Sequence, residues 1–280
     1  MPEGDTIYRT ARTLRRALLG SQVTVWETTV PQLRGQEHRL VGQTVTEVEP
    51  RGKHLLIWFA PARLALHSHM RMTGSWHLYR PGQRWRKPAR LARVVLEVPE
   101  WTAVCFAAPI CEVLSRAQVD RHPSLTALGP DALASTTDLA EARRRLDLRA
   151  GWAIGEALLD QRVLAGVGNV YKNEVLFIHR VDPWRRVGEV PPAVRDALLA
   201  TAERLLKTNV RPGTTARITT TGGGGSGNRV AVYGKARRPC PRCGTPIRLA
   251  AQGSQGRQTY WCPRCQAPGP SRTGVARGGP

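Results

Sequence analysis

Acidic side chains are scarce in this sequence: 21 aspartates and glutamates stand against 42 lysines and arginines, a formal net charge of +21 over 280 residues. The excess runs the length of the chain and points to a polyanionic partner. Long apolar runs are also missing, and none approaches the roughly 18 residues that a membrane span needs. The opening Met1-Pro2-Glu3-Gly4-Asp5 lacks the basic-then-apolar layout of a secretory leader, so a cytoplasmic protein without a membrane partner is expected. Disulfides are rare in that compartment, so the six cysteines read as two single residues, Cys105 and Cys111, and two Cys-x-x-Cys pairs rather than as a disulfide scaffold. No internal repeat, collagen-like period or sustained heptad is present. What remains is ordinary globular composition, 41% hydrophobic and 22% charged, so the positive charge belongs to a folded surface.

Periodicity divides the chain. Ile7, Ala11, Leu14 and Leu18 recur at helical spacing and predict a helix over residues 5–19, closed by Gly20. The next hundred residues read as short strands, among them the apolar run Leu55–Phe59 and the alternating segment Ala92–Val98. From about residue 125 the period turns helical, over 131–148, 152–161, 170–178 and 193–207. Pro191-Pro192 marks the start of the last. The stretch Gly222–Gly227 reads as a mobile loop or hinge, and the Gly/Pro/Arg-rich residues 268–280 as a disordered tail.

Three features can carry chemistry. Cys240-Pro-Arg-Cys243, eighteen residues, then Cys262-Pro-Arg-Cys265 has the spacing of a closed tetrahedral four-thiolate site, which suits one structural Zn2+. Arg238, Arg242, Arg248, Arg257 and Arg264 surround it and suggest phosphate contact. The connection Leu159–Val170 passes Gly166 and Gly168 and reaches Asn169 at a plausible N-cap, so it reads either as a phosphate site on a helix start or as a plain helix hairpin. Finally, removal of the initiator methionine would leave Pro2 as a secondary amine with a sizeable neutral fraction near pH 7. Such an amine can attack an electrophilic sugar carbon, with Glu3 beside it moving protons. His67 and His69 flank Ser68 and read as strand-interior residues rather than ligands. Cys105 and Cys111 read as small core hydrophobes, and Arg143–Arg145 as a solvated helix face.

Taken in order, these segments resemble the formamidopyrimidine-DNA glycosylase / endonuclease VIII family, closest to its actinobacterial endonuclease VIII-like branch. The match carries Met1-Pro2-Glu3-Gly4, Arg51-Gly52-Lys53-His54-Leu55, Leu128-Gly129-Pro130-Asp131, Asp160-Gln161 through Gly168-Asn169-Val170-Tyr171, Val232-Tyr233-Gly234-Lys235 and Tyr260-Trp261-Cys262-Pro263-Arg264-Cys265-Gln266. The resemblance implies an α+β multidomain chain. A β-sandwich with a catalytic helix would span 1–122, a helix–two-turn–helix domain 123–235 and a zinc finger 236–267. It implies a bifunctional DNA glycosylase/AP lyase with Pro2 as nucleophile and Glu3 as general acid/base. Lys53 would serve catalysis and phosphate binding, and Asn169 and Arg257 would grip phosphates as well. Met72, with Arg71 beside it, would wedge into the base stack, because an extruded base leaves a gap to fill. Damaged DNA, duplex or single-stranded, is the implied partner of a monomer associated with the bacterial nucleoid. The alternative is a non-catalytic binder of damaged or branched DNA.

Two departures qualify the resemblance. Asp5 and Thr6 replace the proline and glutamate that many relatives carry after the glycine, which removes an assisting acid at position 6. The segment Val104–Cys111 lacks the arginine-plus-phenylalanine pair that formamidopyrimidine enzymes place opposite the lesion. This favours oxidised pyrimidines over 8-oxoguanine as substrates.

Overall fold

Helix α1 (Gly4–Leu18) buries Ile7, Ala11, Leu14 and Leu18 along one face, and Gly20 turns the chain away with a φ of 77°. In the computed structural model, which describes residues 2–212, 217–221 and 229–267, this face packs on two four-stranded antiparallel sheets. Strand β1 (Val25–Thr28) and the short helix α2 (Glu37–Leu40) precede β2 (Thr44–Arg51), β3 (His54–Ala60), β4 (Leu64–His69) and β5 (Ser75–Tyr79). Then come β6 (Ala92–Val98), β7 (Trp101–Phe106) and β8 (Ile110–Ser115). The sheet orders are β1-β6-β7-β5 and β2-β3-β4-β8. Both sheets contribute to one core with α1, and Cys105 and Cys111 sit in it as expected.

Strand β3 is continuously apolar because both of its faces are covered. Leu55, Ile57 and Phe59 enter the sandwich core. Leu56 and Trp58 point outward, beneath Val119 of α3 (Arg116–Asp120) and Leu125 of α4 (Pro123–Thr126).

The second core is helical: α5 (Leu139–Asp147), α6 (Ile154–Ala157), α7 (Asn169–Ile178) and α8 (Pro192–Asn209). Two expected helices are shorter than their periodicity. The first begins at 139 rather than 131, because the Asp131 carboxylate accepts from Leu133 N–H at 2.8 Å and Gly52 N–H at 2.6 Å, and Asp138 caps Glu141 N–H instead. The second covers only 154–157, since Asp160 accepts from Arg149 and Arg162 and holds the following turn. The arginine row is not simply solvated. Arg143 bridges Asp147 and Asp196, and Arg145 reaches the carbonyls of Leu128 and Arg162. Gly222–Gly227, expected as a mobile loop or hinge, and 268–280, expected as a disordered tail, lie outside the described residues.

The finger pairs β9 (Arg248–Gln252) with β10 (Arg257–Trp261) and packs β10 along α7. Arg242, expected near phosphate, instead donates to the carbonyls of Phe177 and Ile178 and satisfies the C-terminus of α7. Before the finger, the Glu174 carboxylate of α7 accepts from Thr220 Oγ1 and from the N–H groups of Ala231, Val232 and Tyr233, at 2.6 to 2.9 Å. This gives the Val232-Tyr233-Gly234-Lys235 segment its shape. Glu174→Ala strands these buried donors and is expected to cost about 3 kcal/mol or more, read as a lower midpoint in urea unfolding.

Candidate active site at the domain junction

Glu3 precedes α1 and is fully buried. Its carboxylate reaches 167 residues along the chain to the N-terminus of α7, where Oε1 accepts from Val170 N–H at 2.8 Å and Oε2 lies 3.5 Å from Tyr171 N. The helix start read as a phosphate site is thus occupied by the protein's own acid. Close approach requires glycine here. A Cβ on Gly168 would stand 2.2 Å from Glu3 Cδ, and one on Gly4 would stand 2.7 Å from Gly166 Cα. Gly4 N–H also donates to the Gly166 carbonyl at 2.9 Å. Asn169 is not the N-cap; Gly168 is, and Asn169 is the first helical residue. Its side-chain amide donates to the Gln258 carbonyl at 2.8 Å, next to Arg257.

Burial pushes the Glu3 carboxyl up to about 7, against the pull of Lys53 and the α7 N–H groups. Lys53 occupies the turn between β2 and β3. Burial brings its amine down to about 8, Glu3 draws it back up, and Arg257 lowers it further. The turn is set by Gly52, whose φ is 58° and whose N–H is bound by Asp131, so the Leu128-Gly129-Pro130-Asp131 segment anchors the lysine. Sequence reasoning missed Lys172 on α7. It is fully buried, donates to Thr259 Oγ1 at 2.7 Å, and is lowered by burial to about 7. Its neighbour Asn173 accepts from Tyr260 N–H at 2.7 Å. The clue available in the sequence was a polar run, Lys172-Asn173-Glu174, on a helix with apolar residues on both sides.

Glu3, Lys53, Asn169 and Arg257 therefore meet at one junction of the sandwich, α7 and the finger, and Pro2 precedes Glu3 in the chain. Met72 joins them. The residue is 62% exposed, in the loop after β4, and Arg257 Nη1 lies 3.3 Å from its sulfur. Arg71, in the left-handed region at a φ of 44°, is exposed beside it. Phe106, the phenylalanine of the Val104–Cys111 segment, is buried in a satellite cluster with Tyr79 and Val104 and does not face the junction. At position 5, Asp5 is buried and paired with Arg9 at 2.9 Å, so it does not replace the acid absent from position 6.

In the finger, Cys243 Sγ stands 3.5 Å from the sulfurs of Cys262 and Cys265, and Cys240 Sγ stands 3.9 Å from that of Cys265. Tetrahedral zinc thiolates place sulfurs about 3.8 Å apart. Arg242 N–H and Cys265 N–H donate to Cys240 and Cys262 sulfur at 3.4 Å, as knuckle backbones do. The four residues fit a closed metal site.

A strongly basic chain thus places a buried carboxylate, two lowered amines and an exposed apolar tip around one junction. Residues 1–109 match the formamidopyrimidine-DNA glycosylase N-terminal domain, 128–220 the formamidopyrimidine-DNA glycosylase H2TH domain, and 238–268 the zinc finger found in FPG and IleRS. The probable endonuclease 8 2 of Streptomyces coelicolor is 47% identical over 98% of this chain and 99% of its own length. The DNA-(apurinic or apyrimidinic site) lyase Nei2 of Mycolicibacterium smegmatis is 39% identical over 95% and 99%. A solved Lactococcus lactis formamidopyrimidine-DNA glycosylase shares the fold at a TM-score of 0.81 and 23% identity, over 95% of this chain and 100% of that one. This chain belongs to the formamidopyrimidine-DNA glycosylase / endonuclease 8 family.

The raised Glu3 carboxyl has a stability consequence. The folded chain keeps a proton that the unfolded chain releases between pH 4.5 and about 7, so stability falls as pH rises through that window. Glu3→Gln escapes this loss. Its stability relative to wild type is expected to rise by up to about 3 kcal/mol from pH 4.5 to pH 8, measured by urea unfolding at a series of pH values.

Proposed function

We propose that this chain removes oxidised pyrimidines from DNA through an iminium formed at Pro2 and then cuts the strand on both sides by β- and δ-elimination. The general activity, DNA glycosylase with abasic-site lyase action in base-excision repair, is that of its family. The observation that carries the detailed reading is the buried Glu3 carboxyl, raised to about 7, immediately after the Pro2 amine. A carboxyl with that pKa can both give and take a proton at neutral pH.

In this reading the Pro2 nitrogen attacks C1′ of the damaged nucleoside, the bond to the base breaks, and the proton released from the Pro2 nitrogen leaves with the base. Glu3 protonates the sugar ring oxygen as the ring opens, giving the iminium. Loss of a proton from C2′ expels the 3′ phosphate, and a second elimination expels the 5′ phosphate. Water then frees Pro2, leaving a one-nucleotide gap bounded by phosphates. The position of Pro2 at the start of α1 disfavours its ammonium form through the helix dipole.

Lys53, Asn169 and Arg257 hold phosphates from three parts of the chain, and Met72 fills the space left by the extruded nucleotide, with Arg71 flanking it. The lowered amine of Lys53 is held in its charged form when phosphate arrives. Each neutralised phosphate adds about 0.9 to the slope of log affinity against log salt. Cys240, Cys243, Cys262 and Cys265 hold one structural Zn2+. The closed ligand set leaves no position for substrate, so the ion serves to fix the hairpin that carries Arg257. The Lactococcus lactis relative is described as bound to DNA containing an abasic site, and the same ligand class is proposed here. Buried Phe106 and the absent arginine support pyrimidines over 8-oxoguanine. Among the described residues no helix is long and apolar enough to cross a membrane, and the proposed setting is the bacterial cytoplasm, as a monomer at the nucleoid.

Borohydride trapping on an abasic-site duplex tests the chemistry. A covalent adduct is expected with wild type and is expected to vanish when an N-terminal extension blocks the Pro2 amine. Tight binding without an adduct, from a chain with a verified Pro2 N-terminus, would instead identify a non-catalytic reader of damaged DNA. Chelation of zinc should unfold 236–267 and weaken binding to the same duplex by about a hundredfold or more, as loss of Arg257 and its hairpin requires. Fluorescence anisotropy with and without restored zinc measures this.

A further inference from the structure

The outer face of the β2-β3-β4-β8 sheet carries a side-chain cluster that the chemistry above does not use. In the strand register His67 of β4 stands opposite Glu112 of β8, and His54 of β3 stands opposite His69. His122, the residue before α4, reaches over the same face. His67 Nδ1 and His122 Nε2 lie 3.0 and 3.2 Å from one oxygen, Glu112 Oε2. All three atoms fall within 4.8 Å of one another. A tetrahedral cation with bonds of about 2.0–2.2 Å holds its ligand atoms about 3.3 Å apart, so the two contacts to Glu112 are already close to that spacing.

Three further observations point the same way. His67 Nε2 meets His54 Nδ1 at 2.9 Å, which gives His67 the outer partner that ligating histidines use to fix their rings. Acids are outnumbered two to one in this chain, yet among the described residues the ion-pair partners of Glu112 are His67 and His122, with no lysine or arginine. The site is also closed beneath and open above: the His67 side chain is 1% exposed and that of Glu112 42%. The open side leaves room for a cation to enter and for water to complete its coordination.

We propose that His67, Glu112 and His122 form a second metal site, distinct from the four-cysteine finger, for a divalent transition cation of the zinc or cobalt class. Two imidazole nitrogens and one carboxylate oxygen suit such cations and select against calcium and magnesium, which take oxygen ligands. Coordination through His67 Nδ1 places that ring's proton on Nε2, where it donates to His54 Nδ1. His54 then carries its own proton on Nε2, so the two neutral rings change tautomer together and no net proton is released. Although His67 and His69 share a strand face, only His67 is a ligand; its partners come from β8 and the turn before α4.

The test uses the full chain with its finger zinc in place, titrated with Co2+ and followed by absorption spectroscopy and equilibrium dialysis. One equivalent of cobalt is expected, with ligand-field bands but no sulfur-to-cobalt charge transfer. Glu112→Gln, which keeps an acceptor for both imidazoles, and His122→Gln are each expected to weaken it more than about tenfold. Unchanged thermal melts would establish that both variants fold, and neither residue touches the proposed reaction centre. Absence of cobalt binding, cobalt appearing only with sulfur charge transfer, or binding undiminished in both folded variants would overturn the proposal.

Discussion

The contact on which the structure depends is the Glu3 carboxylate seated on the N-terminus of α7. It joins the first turn of the sandwich domain to the middle of the helical domain. The dipole and free N–H groups of a helix start favour an anion, and here the anion is supplied from within the chain. The seat is narrow. A Cβ on Gly4 would collide with the Gly166 backbone, and one on Gly168 with the Glu3 side chain. Burial opposes the helix start, and the balance leaves the acid near neutrality rather than fully ionised. The residue that forms the structural junction is therefore also the one proposed to transfer protons.

Helix α7 distributes this arrangement to the rest of the molecule. Its first turn receives Glu3, Asn169 and Asn173 bind the backbone of β10, Lys172 meets Thr259, and Glu174 gathers the segment that leads into the finger. Polar groups buried to this degree are costly unless each finds a partner. The partners here come from three separate stretches of chain. Folding α7 thus fixes where Arg257 sits relative to Lys53 and Met72. Burial is what chiefly lowers the amines of Lys53 and Lys172; Glu3 draws them back up and Arg257 adds a smaller downward push.

Much of the architecture is legible in the sequence because it rests on local rules. The 3.6-residue period of Ile7, Ala11, Leu14 and Leu18 marks α1, and the run Leu55–Phe59 marks a strand covered on both sides. The Cys-x-x-Cys pairs mark the knuckles, whose sulfurs gather as their spacing requires. Local rules also mislead where side chains compete with the backbone. The Asp131 carboxylate diverts residues that have helical periodicity, and Asn169 gives up the capping position to Gly168 because Glu3 already serves the helix start.

The sequence by itself determined the composition of the candidate site: a proline at position 2 followed by an acid, a basic surface, four thiols in pairs, and a methionine in a turn ending in glycine. Those are properties of neighbouring residues, set by covalent connectivity and short-range sterics. Only the tertiary structure decided that Glu3 is buried against α7, that Met72 stands exposed beside Arg257, that Lys172 and Glu174 face inward, and that His67 meets Glu112 and His122. The carboxyl pKa, the cation cluster and the histidine constellation follow from desolvation and distance. Those quantities exist only once residues far apart in the chain are brought within a few ångströms of one another.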